Sequence, residues 1–174
     1  MSGINYDLKL IRGLAFDVDG VLSPSTIPMN DEGVPLRMVN IKDGYALQLA
    51  VKKGLKIAII TGGNTNNVKL RYGALGISDI YIGQSHKIDT FRQWMGNNKL
   101  DPSEVIYMGD DIPDLQCLRA AGLACCPHDA CGEVRMTSRY ISPIIGGYGC
   151  VRDVLEQVLK AQGLWLSDAK AFGW

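Results

Sequence analysis

Short runs of β-branched and other apolar residues alternate along this chain with longer stretches whose apolar positions recur every three or four residues. The short runs predict buried strands over residues 10–16, 55–60, 80–82 and 105–108, with a weaker one over 123–125. The longer stretches predict helices over 44–53, 64–75, 86–94 and 112–120. A last helix is expected from residue 150 to about 161, where Cys150, Val151, Val154, Leu155, Val158 and Leu159 form one apolar stripe. Lys52 and Lys53 ahead of Gly54 suit a helix C-terminus and its left-handed stop. Strand and helix in strict alternation imply an α/β fold, a Rossmann-like, doubly wound parallel sheet with helices on both faces. One segment breaks the rhythm: Asn30-Asp31-Glu32-Gly33 lies between short apolar runs and predicts a β-hairpin insertion after the first strand, at about 24–40. The tail at 163–174 carries no periodic signal and is expected to be poorly ordered. With 174 residues and no linker or repeat, one domain is expected.

Charge changes the picture only by exclusion. Eighteen Lys and Arg balance eighteen Asp and Glu without a block of one sign, which points away from nucleic acid and membrane surfaces and towards a small-molecule partner. No apolar run reaches the ~20 residues that span a bilayer. Asp7, Asp17 and Asp19 interrupt the first twenty residues, so a cytoplasmic location is expected. Five cysteines read as reduced thiols. Cys125, Cys126, His128 and Cys131 invite a zinc reading, but neighbouring strand residues point to opposite faces and no second CxxC pair exists.

In open α/β sheets ligands bind beyond the carboxyl ends of the strands, so polar residues that directly follow buried runs are candidates for chemistry. Four groups qualify. Asp17-Val18-Asp19-Gly20 follows the first strand and offers two carboxylates one residue apart, able to hold a metal, attack and transfer protons; the plain alternative is a solvated strand-to-loop transition. Thr61-Gly62-Gly63 ends the second strand and opens a helix, supplying N–H groups to an anion, although glycines also serve ordinary turns. Lys87 can offset a phosphate or a carboxylate, or be a surface lysine. Gly109-Asp110-Asp111-Ile112-Pro113-Asp114 delivers three acids, hard oxygen ligands suited to Mg²⁺; helix capping explains one of them regardless.

In this order the four groups resemble the haloacid dehalogenase superfamily of phosphatases, whose motifs are DxDG, a strand-final Thr or Ser, a Lys, and GDxxxD. The resemblance covers roughly residues 10–160. It implies Asp17 as nucleophile and Mg²⁺ ligand, and Asp19 as general acid and base with its carbonyl on the metal. Asp110 would be a further ligand and Thr61 a phosphoryl hydrogen-bonder. Lys87 would neutralise charge, Asp114 would orient Lys87, and Asp111 would support. Superfamily members usually carry a cap domain, but 42 positions separate Asp19 from Thr61 and 26 separate Thr61 from Lys87, room for no cap.

The capless subfamily that the chain most resembles acts on 3-deoxy-D-manno-octulosonate 8-phosphate and forms homotetramers in which a neighbour closes each site. Asn40, Lys42, Asp43 and Gly44 match its N-x-[RK]-D-G segment, Gly83 through Lys87 its GxxxK stretch, and Arg71 the arginine that receives the sugar-acid carboxylate. Gly62, Gly63 and Gln48 would complete the substrate contacts. The chain departs where many relatives have arginine: at Gly63, at Gln48 and within Gly146–Gly149. Sister enzymes for nine-carbon sugar-acid 9-phosphates carry Glu and Lys at the positions of Gly63 and Ala74, which favours the eight-carbon substrate here. Two readings of another class are a receiver-like signalling domain, whose phosphorylated aspartate lies on a middle strand, and a non-catalytic regulatory module, which would have lost one of the acids or Lys87.

Overall fold

The computed structural model describes residues 3–173. Six short strands form the sheet: β1 (Gly13–Phe16), β2 (Lys56–Ile60), β3 (Asp79–Tyr81), β4 (Val105–Met108), β5 (Leu123–Cys126) and β6 (Tyr140–Ile141). All pair in parallel in the order β3-β2-β1-β4-β5-β6. Strands β1, β4 and β5 are buried along their whole length, as a sheet covered on both faces requires. Because side chains alternate, Leu14, Phe16, Ile57, Ile59, Ile106 and Met108 face one layer and Ala15, Ala58, Ile60, Val105 and Tyr107 the other.

Helices α1 (Ile41–Lys52), α2 (Asn66–Gly73) and α6 (Cys150–Ala161) cover the first layer; α3 (Lys87–Asn97), α4 (Leu115–Ala120) and α5 (Gly132–Thr137) cover the second. The six stripe residues of α6 are all buried, consistent with their helical spacing. Cys125 and Cys126 go to opposite layers, so they cannot share a metal. No helix among the described residues is long and apolar enough to cross a membrane.

Three local expectations need correction. The first strand begins only at Gly13, because Leu8–Leu10 form a 3-10 turn capped by Asp7. Helix α1 starts at Ile41, three residues before the predicted Gly44, because the Asn40 side chain accepts from the N–H groups of Lys42 and Asp43. The inserted segment is the expected hairpin in short form, turning at Asn30–Gly33 and pairing Met29 antiparallel to Pro35 outside the main sheet. Pro28 and Pro35 bring no N–H to a ladder, so the arms cannot lengthen into strands. The tail does not hang free: Leu164 and Trp165 pack on the core, Ala171 is buried, and its carbonyl accepts from Tyr45 Oη at 2.6 Å. Arg152 lies between the Tyr45 and Trp165 rings, which pins the tail on α1.

Candidate active site

The strand order turns back between β1 and β4, so the loops leaving these two central strands meet in one crevice. Asp17 follows β1 and donates its N–H to the Met108 carbonyl of β4 at 3.0 Å. By alternation it shares the side of Ala15, over which α3 packs, and α3 opens with Lys87. The Lys87 ammonium lies 2.9 Å from Asp17 Oδ1 and 2.8 Å from Asp114 Oδ1, all three side chains being buried. Asp114 is saturated: Oδ1 also accepts from Tyr107 Oη at 2.8 Å, and Oδ2 from the Asp110 N–H at 3.1 Å and the Asp111 N–H at 3.4 Å. Asp111 itself is exposed at the rim of the crevice, which Asp17, Asp19, Lys87, Asp110 and Pro113 also line.

One ammonium between two buried carboxylates offsets only part of their charge. Burial, then Asp114, pushes the Asp17 carboxyl up to about 8 against the pull of Lys87. Burial likewise lifts Asp110 to about 7, with Asp114 and Asp111 adding to it. For Lys87, burial lowers the pKa, but Asp17 and Asp114 outweigh it and hold the ammonium charged. The site is thus short of positive charge.

Oxygens of Asp17, Asp110 and Asp114 come within 4.8 Å of one another, the group of three potential metal ligands found among the described residues. With Asp114 saturated, the free donors are Asp17 and Asp110, whose Oδ1 is buried and has no hydrogen-bond partner among the described residues. Two carboxylates with open valence, hard oxygen and room for water fit Mg²⁺. Gly20 makes this convergence possible: its φ is +86°, and a Cβ there would collide with the Asp110 carboxylate.

Asp19, on the wall of the same crevice, has a partner of its own. Arg37, from the inserted segment, grips it in a fork, Nε to Oδ1 at 2.7 Å and Nη2 to Oδ2 at 2.8 Å. The sequence offered no reason to single out Arg37, nor the Tyr107 hydroxyl that fixes Asp114. Thr61 is buried at the end of β2, its Oγ1 accepting from the Gly63 N–H at 3.1 Å, which leaves the hydroxyl proton to donate. Gly62 is exposed beside it.

The residues proposed to touch substrate spread more widely. Arg71 of α2 packs against Gly44 of α1, where a Cβ would lie 2.6 Å from its Nη2; Arg71 Nε is buried without a hydrogen-bond partner among the described residues. Asn40 and Asp43 have structural work: Asn40 caps α1, and the buried Asp43 accepts the Arg152 N–H at 2.7 Å in the first turn of α6. Burial raises Asp43 to about 6 even so. Lys42 is exposed on a separate groove with Asn40 and Tyr148, and Gln48 is half-buried one turn along α1 from Gly44.

A buried strand-end carboxylate held by a lysine beside a second metal-competent acid, on this strand order, is an arrangement suited to metal-assisted phosphoryl transfer. The model of the haloacid dehalogenase-like hydrolase family matches residues 43–127, which take in Thr61, Lys87, Asp110 and Asp114. The 3-deoxy-D-manno-octulosonate 8-phosphate phosphatase KdsC of Escherichia coli (strain K12) is 38% identical over 160 residues, 92% of this chain and 85% of that protein. A crystal structure of the same phosphatase from Moraxella catarrhalis, in complex with magnesium ion, phosphate ion and KDO, superposes with a TM-score of 0.89 at 36% identity, covering 96% of both chains. The one from Yersinia pestis gives 0.87 at 34% identity, covering 91% of this chain and 85% of that one. The chain belongs to the haloacid dehalogenase-like hydrolases, and within them to the family of 3-deoxy-D-manno-octulosonate 8-phosphate phosphatases.

Proposed function

We propose that this chain is a Mg²⁺-dependent phosphomonoesterase that hydrolyses 3-deoxy-D-manno-octulosonate 8-phosphate to the sugar acid and phosphate. The observation that carries the reading is the buried Asp17 carboxylate, 2.9 Å from the Lys87 ammonium and beside the unpaired Asp110 oxygen. The identity to octulosonate phosphatases supports the substrate.

Asp17 attacks phosphorus in line, and the bond to the sugar oxygen breaks as the aspartyl phosphate forms. Asp19 protonates the departing alkoxide and then takes a proton from the water that hydrolyses the acyl phosphate. Lys87, oriented by Asp114, offsets charge on Asp17 and on the phosphoryl oxygens, and Thr61 donates its hydroxyl to one of them. Mg²⁺ held by Asp17 and Asp110 would supply the positive charge this cluster lacks, so that an anion can approach an anion. Arg71 takes the substrate carboxylate, a planar ion suited to a guanidinium.

Hydrolysis of octulosonate 8-phosphate, a nonulosonate 9-phosphate and glucose 6-phosphate, each with Mg²⁺ and with EDTA, tests this assignment. The eight-carbon acid is expected to give the highest kcat/KM, and only with metal. Arg71→Ala should cost about 10–100-fold on the acids and far less on glucose 6-phosphate. A preference for the nine-carbon acid moves the assignment to the sister activity. An Arg71 variant with undiminished selectivity removes the carboxylate role.

We further propose a cytoplasmic homotetramer. Met29, Leu36, Met38, Val39 and Ile41, in and beside the inserted segment, all have exposed apolar side chains, and a capless crevice needs a neighbour to exclude water. Sedimentation at micromolar concentration should return four chains, and a monomer would refute the assembly.

A further inference from the structure

The Asp19 to Arg37 pair separates two cavities. On one side lies the acidic crevice of Asp17, Asp19, Lys87 and Asp110. On the other is an apolar-walled pocket that both Arg37 and Arg71 enter, with Val18, Leu36, Val68 and Tyr72 around them. Arg37 is nearly enclosed, its side chain 11% exposed, and its third nitrogen, Nη1, donates to Thr65 Oγ1 at 2.6 Å. Gly63 leaves room for it. No positive φ demands glycine there, yet a Cβ at that position would run into the guanidinium. The position at which the sequence departs from an arginine is therefore filled by an arginine from another segment.

This pairing conflicts with the work proposed for Asp19. Both its carboxylate oxygens accept from Arg37, so a leaving oxygen or a water in the crevice must share this carboxylate with the guanidinium. The paired guanidinium holds Asp19 in its ionised form and in one orientation, and a competing anion that reaches Arg37 from the pocket side offers it equivalent bonds.

We infer that Arg37 is a positioning residue that exchanges Asp19 for the carboxylate of the substrate. Binding of a sugar acid whose phosphate lies in the crevice and whose carboxylate enters the Arg37 and Arg71 pocket releases Asp19 for proton transfer. A phosphate ester without a carboxylate leaves the latch closed. This inference rests on the substrate reading above and adds that the carboxylate switches the general acid as well as anchoring the ligand.

The test compares octulosonate 8-phosphate with glucose 6-phosphate, using the full-length wild type, Arg37→Ala and Arg37→Lys with Mg²⁺. For Arg37→Ala, KM for the acid should rise about 10–100-fold, as for a lost charge-assisted hydrogen-bond pair. Its kcat on glucose 6-phosphate should rise by up to about fivefold, the factor a partly exposed ion pair withholds. Arg37→Lys, which keeps the charge and loses the fork, should recover part of the KM and guards against a folding defect. Opposite signs on the two substrates support the latch. An equal fall on both, or a lower kcat on glucose 6-phosphate, overturns it while leaving the substrate reading intact. A wild type that does not prefer the acid overturns both.

Discussion

Asp17→Asn should abolish turnover, by at least about 10⁴-fold, while the metal-free protein at pH 8 melts no lower than the wild type. The two halves of this result have one cause. Asp17 is 6% exposed, shares one ammonium with Asp114, and carries a pKa driven up to about 8, so its charge is a burden on the fold. An amide of the same shape removes the burden and the nucleophile together. Asp19→Asn should lose about 10²–10⁴-fold, the usual worth of a general acid. Its stability should fall slightly, because the Arg37 fork loses its charge. Steady-state kinetics beside thermal melts in EDTA separate the outcomes: an Asp17→Asn enzyme with near-normal kcat, or one that is inactive only because it has unfolded, would defeat the assignment.

The two candidate carboxylates could be found from sequence because each lies within two residues of the end of a strand whose burial is itself a sequence property. Asp17 follows four fully buried residues and Asp110 follows the buried β4 and Gly109, so strand pattern alone aligned them on one sheet edge. Lys87 was marked only by its place soon after the third predicted strand, a position equally open to a surface lysine. Its burial depends on α3 beginning at that residue and presenting it to β1, which a single chain segment does not encode.

Arg37 shows what strand pattern misses. It lies in irregular backbone, 18 residues from its partner, and nothing local distinguishes it from a surface arginine. The one trace was Gly63, a glycine with no turn requirement, whose meaning appears only once the inserted segment lies over it. The tail was misread for a related reason: Trp165 and Ala171 are held by rings and a tyrosine from other elements, without periodicity of their own. Helix α5 and strand β6 were too short to register, six residues and two. The start of α1 was different, because Asn40 is a preferred N-cap residue and so a helix-start signal in its own right.

The second large effect concerns the cation. Lys87→Ala should lower metal-free stability by about 3–5 kcal/mol at pH 8, the cost of leaving buried charge without its partner, along with most of the activity. The loss should shrink towards pH 5.5. Without the ammonium, Asp17 and Asp114 are two buried carboxylates in contact with the same vacated space, and at low pH a proton can do what Lys87 did. The wild type provides the reference. Asp17 and Asp110 titrate near 8 and 7 in the fold against an ordinary 3.8, so the folded chain retains protons that the unfolded chain has released. Their contribution to stability is complete below about pH 4 and is lost as pH rises through 7 and 8, at up to about 1.4 kcal/mol per pH unit for each group. Melts in EDTA should therefore fall with pH for the wild type and more steeply for Lys87→Ala, and Mg²⁺ should raise both most at high pH, where the two ligands are free of protons. A Lys87 variant equally destabilised at pH 5.5 and pH 8 would mean that the lysine supports the fold by packing alone, and that the charge balance assigned to this crevice is wrong.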